Sequence, residues 1–136
     1  LFIIDGGHNP QCIEALVTNI RDYLTGRRVI ALTGVLADKD YGEMYQPVLP
    51  FVREFVCITP PSPRKLEAVE LAKHLQSKGA KATPCDTIPE GVKKAMELAV
   101  GGMLPHNSIG DKSKTRLHVY AGENHEQAAQ KPIVLD

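Results

Sequence analysis

No net charge is available to this chain, because sixteen Lys and Arg residues balance sixteen Asp and Glu. Without an overall field neither nucleic acid nor an anionic membrane is held by charge alone; neither is expected as a partner, and any anion has to be caught locally. Cysteine is sparse as well. Cys12, Cys57 and Cys85 are odd in number, far apart and without C-x-x-C spacing, which leaves them as small buried hydrophobes in a reducing cytosol. No apolar stretch approaches the ~20 residues that span a bilayer, and no basic-then-apolar leader precedes the first strand, so a cytoplasmic location is expected. His74, His106, His118 and His125 form no i,i+4 pair and no H-E-x-x-H arrangement, and no metal ligand is expected. Also missing are the G-x-G-x-x-G fingerprint and the Walker G-x-x-x-x-G-K-[ST], which excludes a main triphosphate cradle from this chain.

What is present reads as alternating strand and helix over 136 residues, enough for one compact domain. Leu1 to Asp5 is a short apolar run suited to a buried strand. Asn9 is placed to cap a helix that Pro10 opens, with Ile13, Leu16, Val17, Ile20 and Leu24 as its apolar face and Gly26 as its stop. A strand over Val29 to Leu36, a helix near Tyr41 to Val48, a strand over Phe51 to Ile58, a helix over Leu66 to Ser77, a strand over Lys81 to Cys85 and a helix marked by Ile88, Val92, Met96 and Ala99 follow. Such alternation predicts an α/β, three-layer, Rossmann-like domain: a mostly parallel sheet of about six strands with helices on both faces. Beyond Val100 the pattern decays: Gly101 to Lys114 reads as a loop, and two strands, Arg116 to Tyr120 and Pro132 to Leu135, flank a polar helix from Glu123 to Gln130. The chain opens on Leu1 rather than Met, within a strand-like run, which reads as a piece cut from a longer polypeptide.

Ligands of open parallel sheets bind at the carboxyl ends of the strands, and "DGGHNP" and "LADKD" fall there. In the first segment the unpaired N–H groups of the helix start suit phosphate oxygens, Gly6 and Gly7 let a ligand approach the backbone, His8 suits a phosphate and Asp5 suits ribose hydroxyls. The same residues also make an ordinary turn with a surface histidine. Lys39, between two acids in "GVLADKDY", either reaches a ligand's carboxylate or phosphate or sits on a solvated turn. Arg64, in "PPSPRKL", either forks onto an anion or decorates a proline-stiffened loop.

Together, "DGGHNPQCIEAL", "GVLADKDYGEM" and "TPPSPRKLEAVELA" resemble, in order and rough spacing, the C-terminal domain of bacterial folylpolyglutamate synthase/dihydrofolate synthase, within the Mur ligase superfamily. The resemblance covers about residues 1 to 100, and "GVLADKDY" points to the folate branch. It implies an ATP-dependent ligase that joins L-glutamate to dihydropteroate or folate through an acyl phosphate, with ATP and Mg2+ as cofactors. The P-loop and metal ligands would belong to a central domain of the same polypeptide, absent here, and this chain by itself would be inactive. Carried over by position, Asp5, Gly6, Gly7, His8 and Asn9 would form the ATP side of the site. Lys39 would be the catalytic residue facing the amino acid or acyl phosphate, and Lys39 and Arg64 would bind substrate.

Two departures stand out. Gly7 occupies a place where the folate enzymes usually carry alanine, and the family's late Cys-Gly-Ser-Leu-Tyr strand is echoed only by Tyr120, Gly122 and Glu123. Residues 101–136 are therefore atypical, either a diverged ending or sequence foreign to the domain. A stand-alone α/β binding module and a peptidoglycan-precursor ligase domain are the alternatives.

Overall fold

A computed structural model of the protein describes residues 3–7 and 9–120. Helix α1 (Pro10–Tyr23) starts as the sequence predicts. Asn9 is extended, its side-chain oxygen accepts the Cys12 N–H at 2.9 Å, and Pro10 takes the position that needs no N–H. Ile13, Val17 and Ile20 form the buried stripe, and the chain leaves through a turn at Gly26, whose φ of +75° favours glycine. Then come β1 (Val29–Thr33), α2 (Tyr41–Met44), a 3-10 turn over Leu49–Phe51, β2 (Val52–Ile58), α3 (Ala68–Ser77), β3 (Ala82–Cys85), α4 (Ile88–Gly101) and α5 (Ser108–Lys114).

The strands form one parallel sheet in the order β1-β2-β3, with Ala31 opposite Phe55 and Phe55 opposite Ala82. From Phe55 onward central β2 is apolar without alternation because both of its faces are covered there: Phe55, Val56 and Cys57 are at most 1% exposed, whereas Arg53 and Glu54 occupy its less buried start. Phe55 and Cys57 belong to the main core with the stripe of α1, Met44, Tyr45 and Val48, and Leu71, Ala72 and Leu75 of α3. Val56 has the opposite parity and meets α4, which packs on the other face at Gly91. The architecture is α/β with helices on both sides of a parallel sheet.

Several boundaries differ from the sequence reading. The described residues supply three strands of the expected six. Residues 3–5 belong to no strand, and Ile3 and Ile4 lie 56% and 87% exposed: an apolar run becomes a strand only where a neighbour completes its ladder, and among the described residues none does. β1 stops at Thr33 rather than Leu36: Gly34 still runs so close to β2 that a Cβ there would stand 2.8 Å from the Ile58 carbonyl oxygen, but Leu36 has left the parallel ladder to pair antiparallel with Lys65. The helix expected over 41–48 is a single turn, α2, followed by turns. A loop expected over 101–114 contains α5, nucleated by Asn107, whose side chain accepts the Gly110 N–H at 2.8 Å. Residues 116–120 form no strand, and the elements expected at 123–130 and 132–135 lie outside the described residues. Cys57 is buried as expected, whereas Cys12 and Cys85 are half-buried.

Two substitutions on α4 separate helix propensity from packing. A Cβ on Gly91 would stand 2.4 Å from Ile58 Cγ2 and 3.0 Å from Leu32 Cδ1, whereas nothing lies within 4 Å of one on Gly101. Gly→Ala normally favours a helix by up to ~1 kcal/mol, so Gly101→Ala is expected to leave the urea midpoint unchanged or raised, and Gly91→Ala to lower it. Leu75→Ala, at a fully buried site, is expected to cost about 2–5 kcal/mol in the same titration.

Candidate functional site

Because β1 and β2 run parallel, the segments leaving them, 34–40 and 59–67, emerge side by side. They are sewn together. The Ala37 N–H donates to the Arg64 carbonyl at 2.8 Å, the Leu66 N–H donates to the Val35 carbonyl at 3.1 Å, and Leu36 and Lys65 form an antiparallel bridge. Across the same seam Arg64 Nη1 lies 2.8 Å from Asp38 Oδ2. Within the first loop the Lys39 N–H donates to the Leu36 carbonyl and the Lys39 carbonyl accepts from Tyr41. Asp40 caps α2 by accepting the Glu43 N–H at 3.4 Å.

The three charged side chains of "DKD" therefore have different fates. Asp38 is neutralised by Arg64 and Asp40 is occupied with a helix start, while the half-buried Lys39 makes no ion pair or side-chain hydrogen bond among the described residues. An ammonium without a partner, on a loop fixed at the carboxyl ends of two strands, is suited to an anionic ligand group. Arg64, expected to bind substrate, spends its guanidinium on Asp38, so the structure gives it an intramolecular partner.

The second loop ends on an equally ordered start. Thr59 Oγ1 accepts the Ala68 N–H at 3.0 Å and donates to Glu67 Oε2 at 3.2 Å, and Lys65 pairs with Glu67 at 3.0 Å. Hydrogen bonds from Lys65 and Thr59 hold Glu67 below the usual carboxylate range. Beneath the loops, Thr33 Oγ1 and Tyr45 Oη share a hydrogen bond of 2.7 Å, and the Tyr45 ring meets Phe55 edge-on. Burial pushes the Tyr45 hydroxyl up to about 12, against the lowering effect of the Thr33 hydrogen bond. Burial, with neighbouring Cys85, also pushes the Cys57 thiol up to about 12, which makes it inert as a nucleophile at neutral pH.

At the other candidate segment, Asp5 is exposed and its Oδ1 accepts the Gly7 N–H at 2.6 Å, so the carboxylate holds a tight turn. A Cβ on Gly7 would stand 2.7 Å from that oxygen, so in this turn glycine is the residue that fits. Gly6 leaves its Cβ position open, Asn9 caps α1, and His8 lies outside the described residues. No ion pair links Asp5 to the Lys39 loop among the described residues. Hollows of about 330 Å³ beside Cys85 and α4, and about 280 Å³ between Phe51 and the end of α1, contain none of these residues. Among the described residues no three His, Cys, Asp or Glu side chains gather as a metal site, and with Asp38 and Asp40 already engaged these loops do not fit a Mg2+ ion.

Sequence reasoning missed the Asp38–Arg64 pair. Its signal was available: opposite charges in the loops that follow two strands separated by one crossover.

The pKa directions set the alkaline behaviour. Tyr45 and Cys57 are neutral in both states at pH 7; above pH 9–10 the unfolded chain ionises them while the folded one does not until about 12. Stability is expected to be level through neutral pH and to fall between about pH 9 and 12, less steeply in Cys57→Ala, as read from urea midpoints against pH.

Comparison with known proteins brings two likenesses. The family model described as Mur ligase, glutamate ligase domain, matches residues 1–104. FolC of Escherichia coli, solved in complex with DHPP and ADP, superposes with a TM-score of 0.65 and 28% identity over 71% of this chain and 22% of its own. The bifunctional folylpolyglutamate synthase/dihydrofolate synthase of Yersinia pestis, solved with AMPPNP and Mn, gives 0.62 and 29% over 70% and 22%. The chain thus spans about a fifth of the length of these enzymes. Separately, large ribosomal subunit protein uL13 of Limosilactobacillus fermentum is 54% identical over 54 residues, 40% of this chain and 37% of that protein. Its counterpart from Caldicellulosiruptor saccharolyticus is 36% identical over 134 residues, 98% of this chain and 75% of that protein. The chain spans under two-fifths of the first of these relatives. It belongs to the Mur ligase family by its glutamate ligase domain, residues 1–104, and carries sequence of the uL13 family as well.

Proposed function

We propose that this domain is the C-terminal part of an ATP-dependent ligase that adds L-glutamate to dihydropteroate or folates. The observation that carries the reading is the Lys39 ammonium, without an ion pair or side-chain hydrogen bond among the described residues, on a loop fixed across the carboxyl ends of β1 and β2. Ligation requires a carboxylate to be activated as an acyl phosphate, which the glutamate amine attacks at the carbonyl carbon as phosphate leaves. Negative charge on that phosphate rises as its bond to the acyl carbon breaks, and a fixed ammonium beside it, or on the carboxylate of the incoming glutamate, stabilises the arrangement. Asp5 and the start of α1, with His8, form the ATP side, Asp5 taking ribose hydroxyls in exchange for part of its turn bond. The open rim of this half-site calls for a P-loop domain of the same polypeptide as the opposing wall. Mg2+ would be held there, since the donors here are engaged.

The ligand-bearing relatives support this reading: FolC was solved with DHPP and ADP, and a related enzyme with Mn, AMPPNP and L-glutamate. Lys39→Ala in the complete ligase is expected to lower kcat/KM about 10²–10³-fold in an ADP-release assay with dihydropteroate and L-glutamate; an unchanged value overturns the assignment.

A second reading follows from the uL13 likeness. The ligase family model stops at residue 104, whereas the likeness to the Caldicellulosiruptor saccharolyticus protein runs over 98% of this chain, so the stretch from residue 105 onward is matched by the uL13 likeness and not by the ligase model. That stretch would serve as a docking segment for the large ribosomal subunit. The chain is then expected to pellet with purified large subunits at low salt and to lose that association when truncated after residue 104. Failure of the intact chain to pellet rejects this second role and leaves the ligase reading untouched.

A further inference from the structure

We infer that Asp38 and Arg64 are positioning residues, a strap that holds the Lys39 loop in register over the sheet, and that Arg64 is not itself a substrate ligand. The inference deepens the proposed ligase reading and rests on it. Arg64 Nη1 sits 2.8 Å from Asp38 Oδ2, one residue before Lys39, and the same two loops share the Ala37–Arg64 backbone bond and the Leu36–Lys65 bridge. Asp40, one residue after Lys39, is fixed to α2. Lys39 is thus anchored on both sides by carboxylates that have partners of their own, while its ammonium has none among the described residues.

Both side chains of the pair are largely exposed, 64% for Arg64 and 45% for Asp38, so their ion pair adds little to global stability. Its consequence is geometric. Parallel strands leave the 34–40 and 59–67 loops side by side, but only cross-loop bonds set their mutual register, and a shift of about 1 Å in a positioned group is enough to cost ~100-fold in rate. Pairing also neutralises the carboxylate beside Lys39, which otherwise competes with an anionic ligand for the ammonium.

The test is a charge-swap cycle in the complete ligase, with Lys39→Ala as reference: Asp38→Asn, Arg64→Gln and the double exchange Asp38→Arg/Arg64→Asp. Each single variant is expected to raise KM for L-glutamate about tenfold, as coupled neighbours do, with KM for ATP and Tm unchanged. Hydrogen exchange at the Lys39 amide, which donates to Leu36, is expected to speed up in both single variants. The exchanged double variant is expected to recover both readouts, because a strap works in either polarity. Loss in Arg64→Gln that the exchange does not recover, with Asp38→Asn silent, would make Arg64 a ligand and overturn the inference. If Lys39→Ala lowers turnover while every pair variant is silent, the strap is dispensable and the ligase reading survives. If Lys39→Ala is silent too, the ligase reading falls with it.

Discussion

Parallel pairing of β1, β2 and β3 is the constraint on which everything else in this domain depends. Parallel neighbours need a crossover between them, so each strand is followed by a helical segment, and every strand points its carboxyl end the same way. The loops that leave those ends are forced into company regardless of their distance in sequence. Asp38 and Arg64 are 26 residues apart in the chain and share an ion pair because β1 and β2 are adjacent. The central strand carries the price of this arrangement: buried on both faces, it has to be apolar at successive positions, and Phe55-Val56-Cys57 meets the demand.

What the sequence revealed and what it hid divide along the same line. Asn9 and Pro10 at the start of α1, its stripe of Ile13, Val17 and Ile20, and the stop at Gly26 were readable because caps, stripes and positive φ are local properties of a few residues. Strand limits were not. Whether Ile3 and Ile4 join a sheet depends on a neighbour, and the end of β1 depends on where Leu36 turns to pair with Lys65, a residue of another loop. The same holds at the site. The residue types of "LADKD" and "PPSPRKL" marked both loops as places for charge chemistry, but which cation is paired and which is available is decided by contact across them. Lys39 and Arg64 are equivalent on paper and opposite in the fold.

The turn at Asp5 shows how a bland and a functional reading of one motif coexist. Its carboxylate accepts the Gly7 N–H, as an ordinary Asx-type turn would, and a methyl group at Gly7 would press on that oxygen. An alanine in this turn would press its methyl group on the Asp5 carboxylate, so glycine and the Asp5 turn bond go together here.

Packing says where the fold built around the sheet ends physically. Gly91 brings α4 into contact with Leu32, Val56 and Ile58, which commits that helix to the sheet and makes it the cover of the second face. Past Gly101 the ties thin out: Arg28 reaches the Gly102 carbonyl and His106, while buried Gly110 packs on Pro105 of its own turn. α5 shares no packing interface of that kind with any strand or helix among the described residues. Among the described residues the sheet and its core are therefore formed without α5, and the packed region ends within a few residues of position 104, where the ligase pattern stops. Among the described residues, sequence beyond such a boundary is under little packing constraint, because α5 shares no such interface with the sheet.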